Sequence, residues 1–164
     1  MIVSTAYRYR MALPGPDEAV IAPLKIVCWR ESYPGLLPHE MLDGLSLDRE
    51  VRQWRASLSQ GIAWIAETAG LPVGFAHMRG GEVTTLYVLR DHQGAGIGRR
   101  LMTHMFDEIS CFGHRRAHLW VLEKNELARE FYVHLGGALV ARRPCGFRAH
   151  PEIMELCYEF DVED

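Results

Sequence analysis

The chain has 164 residues, enough for one domain around one core and too few for two domains of ordinary size. Hydrophobic residues make up 48% and charged residues 24%, which excludes a disordered or fibrous chain and fits a globular one. Net charge is −3, and the charges are evenly spread: 8 basic and 9 acidic residues up to position 89, 10 and 12 after it. Neither half is a basic module, so nucleic acid is not the expected partner.

No uncharged run approaches the roughly 18 residues that cross a bilayer, so no membrane partner is expected. The start, Met1 to Arg8, lacks the charged and then apolar pattern of a signal peptide. Cys28, Cys111, Cys145 and Cys157 share no Cys-x-x-Cys spacing and are expected to be free thiols in a reducing cytoplasm.

Arg8 to Leu13 reads as a first strand, ended by Pro14-Gly15-Pro16. Between Asp17 and Ser32, Val20, Leu24, Val27 and Cys28 recur at helical spacing, with Pro23 expected either to kink the helix or to mark its first turn. The segment Tyr33-Pro34-Gly35-Leu36-Leu37-Pro38 breaks it. Short helices follow near Pro38 to Leu42 and from Ser46 to about Leu58. Strands are expected over Ile62 to Glu67, Val73 to Arg79 and Glu82 to Leu89, with a hairpin at Gly80-Gly81.

From Gly96 to Ser110, Ile97, Leu101, Met105 and Ile109 form one helical face. Ala117 to Leu122 reads as a buried strand, Glu126 to Leu135 as a helix stopped by Gly136-Gly137, and Ala138 to Arg143 as a strand. Ile153 to Phe160 is the last strand, with Met154, Leu156, Tyr158 and Phe160 alternating inward. A meander feeding a strand–helix–strand unit predicts a single α/β domain over residues 1–164, with a mixed sheet and helices on both faces.

The chemistry is concentrated in Leu86-Tyr87-Val88-Leu89-Arg90-Asp91-His92-Gln93-Gly94-Ala95-Gly96-Ile97-Gly98-Arg99-Arg100, a strand, a glycine-rich turn and a helix start. Alternate glycines let backbone approach a ligand, and the free N–H groups of a first helical turn favour a phosphate there. A Walker loop would need Gly-Lys-Ser/Thr, but Arg99-Arg100 follow Gly98. A dinucleotide fingerprint would need glycine where Arg99 stands. A tight turn without a ligand is the remaining plain reading.

Gln93-Gly94-Ala95-Gly96-Ile97-Gly98 resembles the Gln/Arg-x-x-Gly-x-Gly/Ala signature of the GCN5-related N-acetyltransferase family. Asn125, followed by Ala128-Arg129-Glu130-Phe131-Tyr132-Val133-His134-Leu135-Gly136, resembles that family's second motif. The likeness runs from about Ile62 to Val140, and Tyr33 to Pro38 resembles a loop of some small members. It implies a mixed, mostly antiparallel sheet of about seven strands flanked by about four helices.

The resemblance also implies roles. Main-chain groups of Leu86, Tyr87 and Val88 would pair with the pantetheine of acetyl-CoA. The amides from Gly94 to Arg99 (Gly94, Ala95, Gly96, Ile97, Gly98, Arg99), beside Gln93, would hold the pyrophosphate. Asn125 would bond near the pantetheine, and the Tyr132 hydroxyl would protonate the leaving thiolate. Attack of an amine on a thioester needs a proton removed, an oxyanion stabilised and a thiolate protonated. The Val88 N–H is a reasonable oxyanion donor. Glu82, at a position where members carry a carboxylate base, is the candidate base, directly or through water. It shares a strand face with Leu86 and Val88 if no bulge intervenes.

The eight histidines show no metal-ligand spacing, so no metal is expected. One of Arg142, Arg143 and Arg148 would read an acceptor carboxylate or simply solvate a loop. Glu31, Glu40 and Asp43 are expected near the acceptor. The implied activity is direct transfer of acetyl from acetyl-CoA to a primary amine, on a small molecule or a protein. The alternative is a non-catalytic acyl-CoA sensor. A homodimer is common in the family. The sequence leaves open the acceptor and the length of the acyl group.

Overall fold

The computed structural model describes residues 5–163. Seven strands form one sheet: β1 (Arg8–Met11), β2 (Ile62–Thr68), β3 (Leu71–Arg79), β4 (Glu82–Val88), β5 (Arg116–Leu122), β6 (Ala138–Pro144) and β7 (Met154–Asp161). Their order is β1-β2-β3-β4-β5-β7-β6, antiparallel except for β4 beside β5. The helices are α1 (Glu18–Ser32), α2 (His39–Asp43), α3 (Leu47–Ser59), α4 (Ile97–Cys111) and α5 (Glu126–His134). This is the mixed seven-stranded fold expected, with a fifth helix.

The helices cover the two faces unequally. On one face α4 buries Ile97, Leu101, Met102, Met105 and Ile109 against Val73, Met78, Val83, Leu119 and Phe160, with Tyr132 of α5 in the same cluster. On the other face α1 and α3 pack Ile21, Leu24, Trp54 and Leu58 against Ile65 and Phe75. That second layer reaches β4 and stops. β5 is therefore half-buried rather than buried: Ala117, Leu119 and Val121 point into the core, while His118 and Trp120 stay partly exposed.

Local signals act largely as the residues suggest. The Ser46 hydroxyl accepts from the Arg49 N–H, capping α3. Gly80-Gly81 turns β3 into β4. Pro23 marks no boundary: α1 starts at Glu18 and runs through it. The start of α1 is anchored by Asp17, whose carboxylate accepts from the Leu13 N–H at 2.7 Å and from both terminal nitrogens of Arg10 at 2.8 and 2.9 Å. The Arg10 guanidinium holds the Asp17 carboxyl below the usual carboxylate range.

Candidate active site

The site is built on a strand that loses its neighbour. β4 and β5 share one paired position, Glu82 with His118, where the His118 N–H donates to Gly81 O at 3.0 Å. Beyond it the strands part, and among the described residues those at 83–88 have no partner strand on that edge. The Leu89 N–H goes to Val73 O at 2.8 Å. Main-chain groups of a strand alternate sides, so Tyr87, two residues earlier, also faces β3. Leu86 and Val88 face the gap. Of the three residues expected to offer main-chain groups, Leu86 and Val88 can do so. Those of Tyr87 are used by β3, and its side chain lies on the face of α1. Gln93 brackets this edge, its Nε2 donating to Val88 O at 3.0 Å.

The turn after β4 delivers the amides of α4. Gly94 and Gly96 sit at φ 78° and 82°, which a residue with a Cβ rarely adopts, and nothing lies within 4 Å of where their Cβ atoms would be. Gly96 is the N-cap of α4, with no side chain satisfying the first-turn N–H groups. The open space and unpaired amides fit an anionic group such as a pyrophosphate. Gly98 is small for another reason: its Cβ would stand 3.2 Å from Phe131 Cζ, so it lets α4 meet α5.

α5 forms the opposite wall. Asn125 is its N-cap, with Oδ1 accepting from the Ala128 N–H at 3.3 Å, which leaves its amide NH₂ free to donate. Tyr132 is 9% exposed and packs on Phe131, Tyr158 and Phe160. Its hydroxyl has no hydrogen-bond partner among the described residues. Burial, with a contribution from Tyr33, pushes its phenol well above the ordinary value, so the group holds its proton at neutral pH.

Glu82 lies elsewhere than expected. A bulge at Thr84 shifts the register between His77–Thr85 and Met78–Val83. Val83 then points into the α4 core with Leu86 and Val88, and its neighbour Glu82 falls on the opposite face. Glu82 also stands six residues before Val88, about 20 Å of extended chain. It sits at the closed end of the gap, on the same face as Cys157, whose thiol it helps to raise.

On that face α1, α3 and β4 enclose a cavity of about 320 Å³. Trp29, Gln53, Ser57, Thr84, Thr85 and Tyr87 line it, with Lys25 and Glu50. Glu50, its one carboxylate, is gripped by Lys25 Nζ at 2.8 and 2.9 Å. Glu31, Glu40 and Asp43 are not in this wall. Glu31 accepts from the Arg90 N–H at 3.1 Å, while Glu40 and Asp43 line a separate groove at α2. Arg142 and Arg143 are committed to Glu123 and Glu155 at 2.8 and 2.6 Å, and Arg143 also lies over the Trp120 ring, 3.7 Å from its centre. Trp29 of this wall, whose indole N–H donates to the Tyr87 hydroxyl at 2.8 Å, carries no pattern in the sequence that separates site from core.

Residues 59–136 match the family described as acetyltransferase (GNAT) domain. The chain is 31% identical over 154 residues to a "probable N-acetyltransferase" of Mycobacterium tuberculosis, covering 84% of this chain and 85% of that one. The chain belongs to the GCN5-related N-acetyltransferase family. Among solved structures, a family member from Rhodopseudomonas palustris superimposes with a TM-score of 0.81 at 24% identity, over 98% of each chain. The acetyltransferase yncA of Salmonella typhimurium, described as putative and solved with acetyl-CoA, gives a TM-score of 0.73 at 18% identity over 97% of this chain and 95% of its own.

Proposed function

We propose that the protein transfers an acetyl group from acetyl-CoA to a primary amine, directly and within a ternary complex. The observation that carries this is the open edge of β4, which runs into the left-handed glycine turn and the uncapped start of α4. Leu86 and Val88 pair with the pantetheine as an added strand would. The amides of Gly94, Ala95, Gly96, Ile97, Gly98 and Arg99 receive the pyrophosphate, and the free amide of Asn125 donates near the pantetheine. Gln93 acts indirectly, by fixing Val88 O.

Acetyl-CoA supplies an activated thioester carbonyl. The Val88 N–H faces the gap and donates to the oxygen on which negative charge develops. Tyr132 keeps its proton until the thiolate leaves, because burial holds the phenol neutral. The amine approaches from the face of α1 and α3. Glu82, at the closed end of the gap and six residues from Val88, reaches the amine only through a relay of several water molecules rather than by contact.

The test is thiol release by the purified protein with acetyl-CoA and a panel of amines: amino acids, a polyamine, an aminoglycoside and short peptides. Release stimulated by one class establishes transfer. Tyr132→Phe is then expected to lower kcat roughly 10²-fold with CoA affinity unchanged. CoA binding without release from any amine would count against transfer.

A further inference from the structure

The cavity between α1, α3 and β4 borders the strand that carries the open edge. Thr85 and Tyr87 line it, and along β4 they alternate with Leu86 and Val88, whose main-chain groups face the gap. Its volume of about 320 Å³ lies at the low end of the about 300–1,000 Å³ that hold small molecules. That is room for a single ring or a short chain.

The hydrogens of its wall can be counted. His77 Nε2 stands 3.0 Å from Ser57 O, and a carbonyl only accepts, so Nε2 carries hydrogen. The ring is 3% exposed with no carboxylate among its hydrogen-bond partners, so it is neutral and its Nδ1 is a bare acceptor. Thr84 Oγ1, 2.6 Å away, must donate to it. That spends the one hydrogen of Thr84. The 3.2 Å contact between the Thr84 and Thr85 hydroxyls can then run only from Thr85. Thr85 therefore shows the cavity lone pairs. The Trp29 indole N–H is likewise spent, on the Tyr87 hydroxyl, which also meets the Tyr33 hydroxyl at 2.9 Å.

The charges of the wall cancel. Lys25 Nζ holds both oxygens of Glu50 and lies 4.4 Å from the centre of the Trp29 ring. The two side chains are only 14% and 6% exposed. Each Glu50 oxygen keeps a lone pair, but its negative charge is already matched. A second ammonium on a ligand would find no unmatched anion here, and a carboxylate no unmatched cation. Arg79, exposed at the rim, donates to Gln60 Oε1 at 3.1 Å.

We propose that this cavity binds the acceptor, and that the acceptor is a hydroxyl-rich monoamine of single-ring size, an amino sugar or amino polyol. This rests on the acetyl-transfer reading given above. The wall asks for donors and rejects further charge, and hydroxyl groups supply donors without charge. They donate to Thr85 Oγ1 and to the Glu50 carboxylate. Gln53 and Ser57 both donate and accept, and serve the ligand's own oxygens. The carbon face of such a ring suits the aromatic wall of Trp29 and Tyr87.

Calorimetric titration of the full chain, saturated with CoA so that no transfer occurs, tests this with glucosamine, spermidine and glutamate as probes. Glucosamine is expected to bind at least roughly 10-fold more tightly than either of the others. Thr85→Val keeps the shape and removes Oγ1, and is expected to weaken glucosamine roughly 10-fold with CoA affinity unchanged. Gln53→Glu, at an exposed position of α3, adds an unmatched carboxylate. It is expected to tighten spermidine roughly threefold, a gain that high salt removes. Tighter binding of spermidine or glutamate by the unaltered chain would overturn the proposal. A glucosamine affinity indifferent to Thr85→Val would do the same, by placing the sugar elsewhere. Glucosamine bound as expected but never acetylated would overturn the transfer reading and the acceptor role with it. Transfer to another amine, with glucosamine unbound, would overturn this proposal alone.

Discussion

The four strands before the gap and the three after it are built from similar residues but are buried differently. In the first half, β2 and β3 lie between α1 and α3 on one face and α4 on the other, and Ile65 and Phe75 are wholly buried. In the second half, β5, β7 and β6 are covered on one face only. Their other face carries Trp120 under Arg143, and β6 is exposed along its whole length, with Leu139 at 54% and Val140 at 52%. A doubly covered half can hold a strand edge open without a neighbour to support it. The half covered once carries α5 and its tyrosine up to that edge. The cleft exists because two unequal halves meet at one residue pair and separate.

Stability measurements on single variants can break or sharpen this contrast. The largest effect is expected in the first half at Gly61, where a Cβ would stand 2.1 Å from Met78 O and 2.7 Å from His77 Nε2. Gly61→Ala is expected to cost more than about 3 kcal/mol in denaturant unfolding. Next is Lys25→Met, which strands Glu50, only 6% exposed at its side chain, without its cation. Loss of about 3 kcal/mol is expected. In the second half Gly137→Ala meets Tyr132 O at 2.9 Å and the more yielding Phe160 ring at 2.8 Å, for about 2 kcal/mol. Since it presses on the carbonyl of Tyr132, it should lower kcat as well. A larger loss there than at Gly61 would refute the idea that the first half is the stiffer one.

Near neutral pH, a titration of stability reads His77 in the first half together with His104 of α4, the pKa of each lowered by burial. His77 is 3% exposed, with Nδ1 2.6 Å from Thr84 Oγ1 and Nε2 3.0 Å from Ser57 O. Burial lowers its pKa, so the unfolded chain binds this proton more readily than the folded one. Stability therefore falls as pH drops below the unfolded value of about 6.5. His77→Gln is expected to flatten that dependence, and an unchanged slope would assign it to other groups. The smallest effect is expected for Leu139→Thr on exposed β6, within about 0.5 kcal/mol. A larger loss that depends on protein concentration would mean that a second copy covers this strand.

Much of the fold was legible. The glycine turn, the face of Ile97, Leu101, Met105 and Ile109, and the alternation in β7 name their elements from spacing alone. The two motifs carry the family resemblance, because backbone approach to a phosphate and a tyrosine on α5 both constrain residue type at fixed positions. The bulge at Thr84 was not legible. Glu82-Val83-Thr84-Thr85 reads as regular strand, and only pairing with β3 shows the extra residue that turns Glu82 to the other face. Nor was the division of labour along β4, where Leu86 and Val88 face the gap and Tyr87 faces β3.

The sequence by itself therefore determined the elements, their order, the family and the glycine turn that opens α4. These depend on local periodicity and on residues whose conformational demands are written into their own chemistry. Only the tertiary structure decided how far β5 stays from β4 and which carboxylates are already committed. It alone showed that Trp29, Tyr87 and Tyr33, 58 and 54 residues apart across their two contacts, form one chain. Distances across a sheet and the pairing of charges arise from packing between distant segments, and no spacing within the chain encodes them.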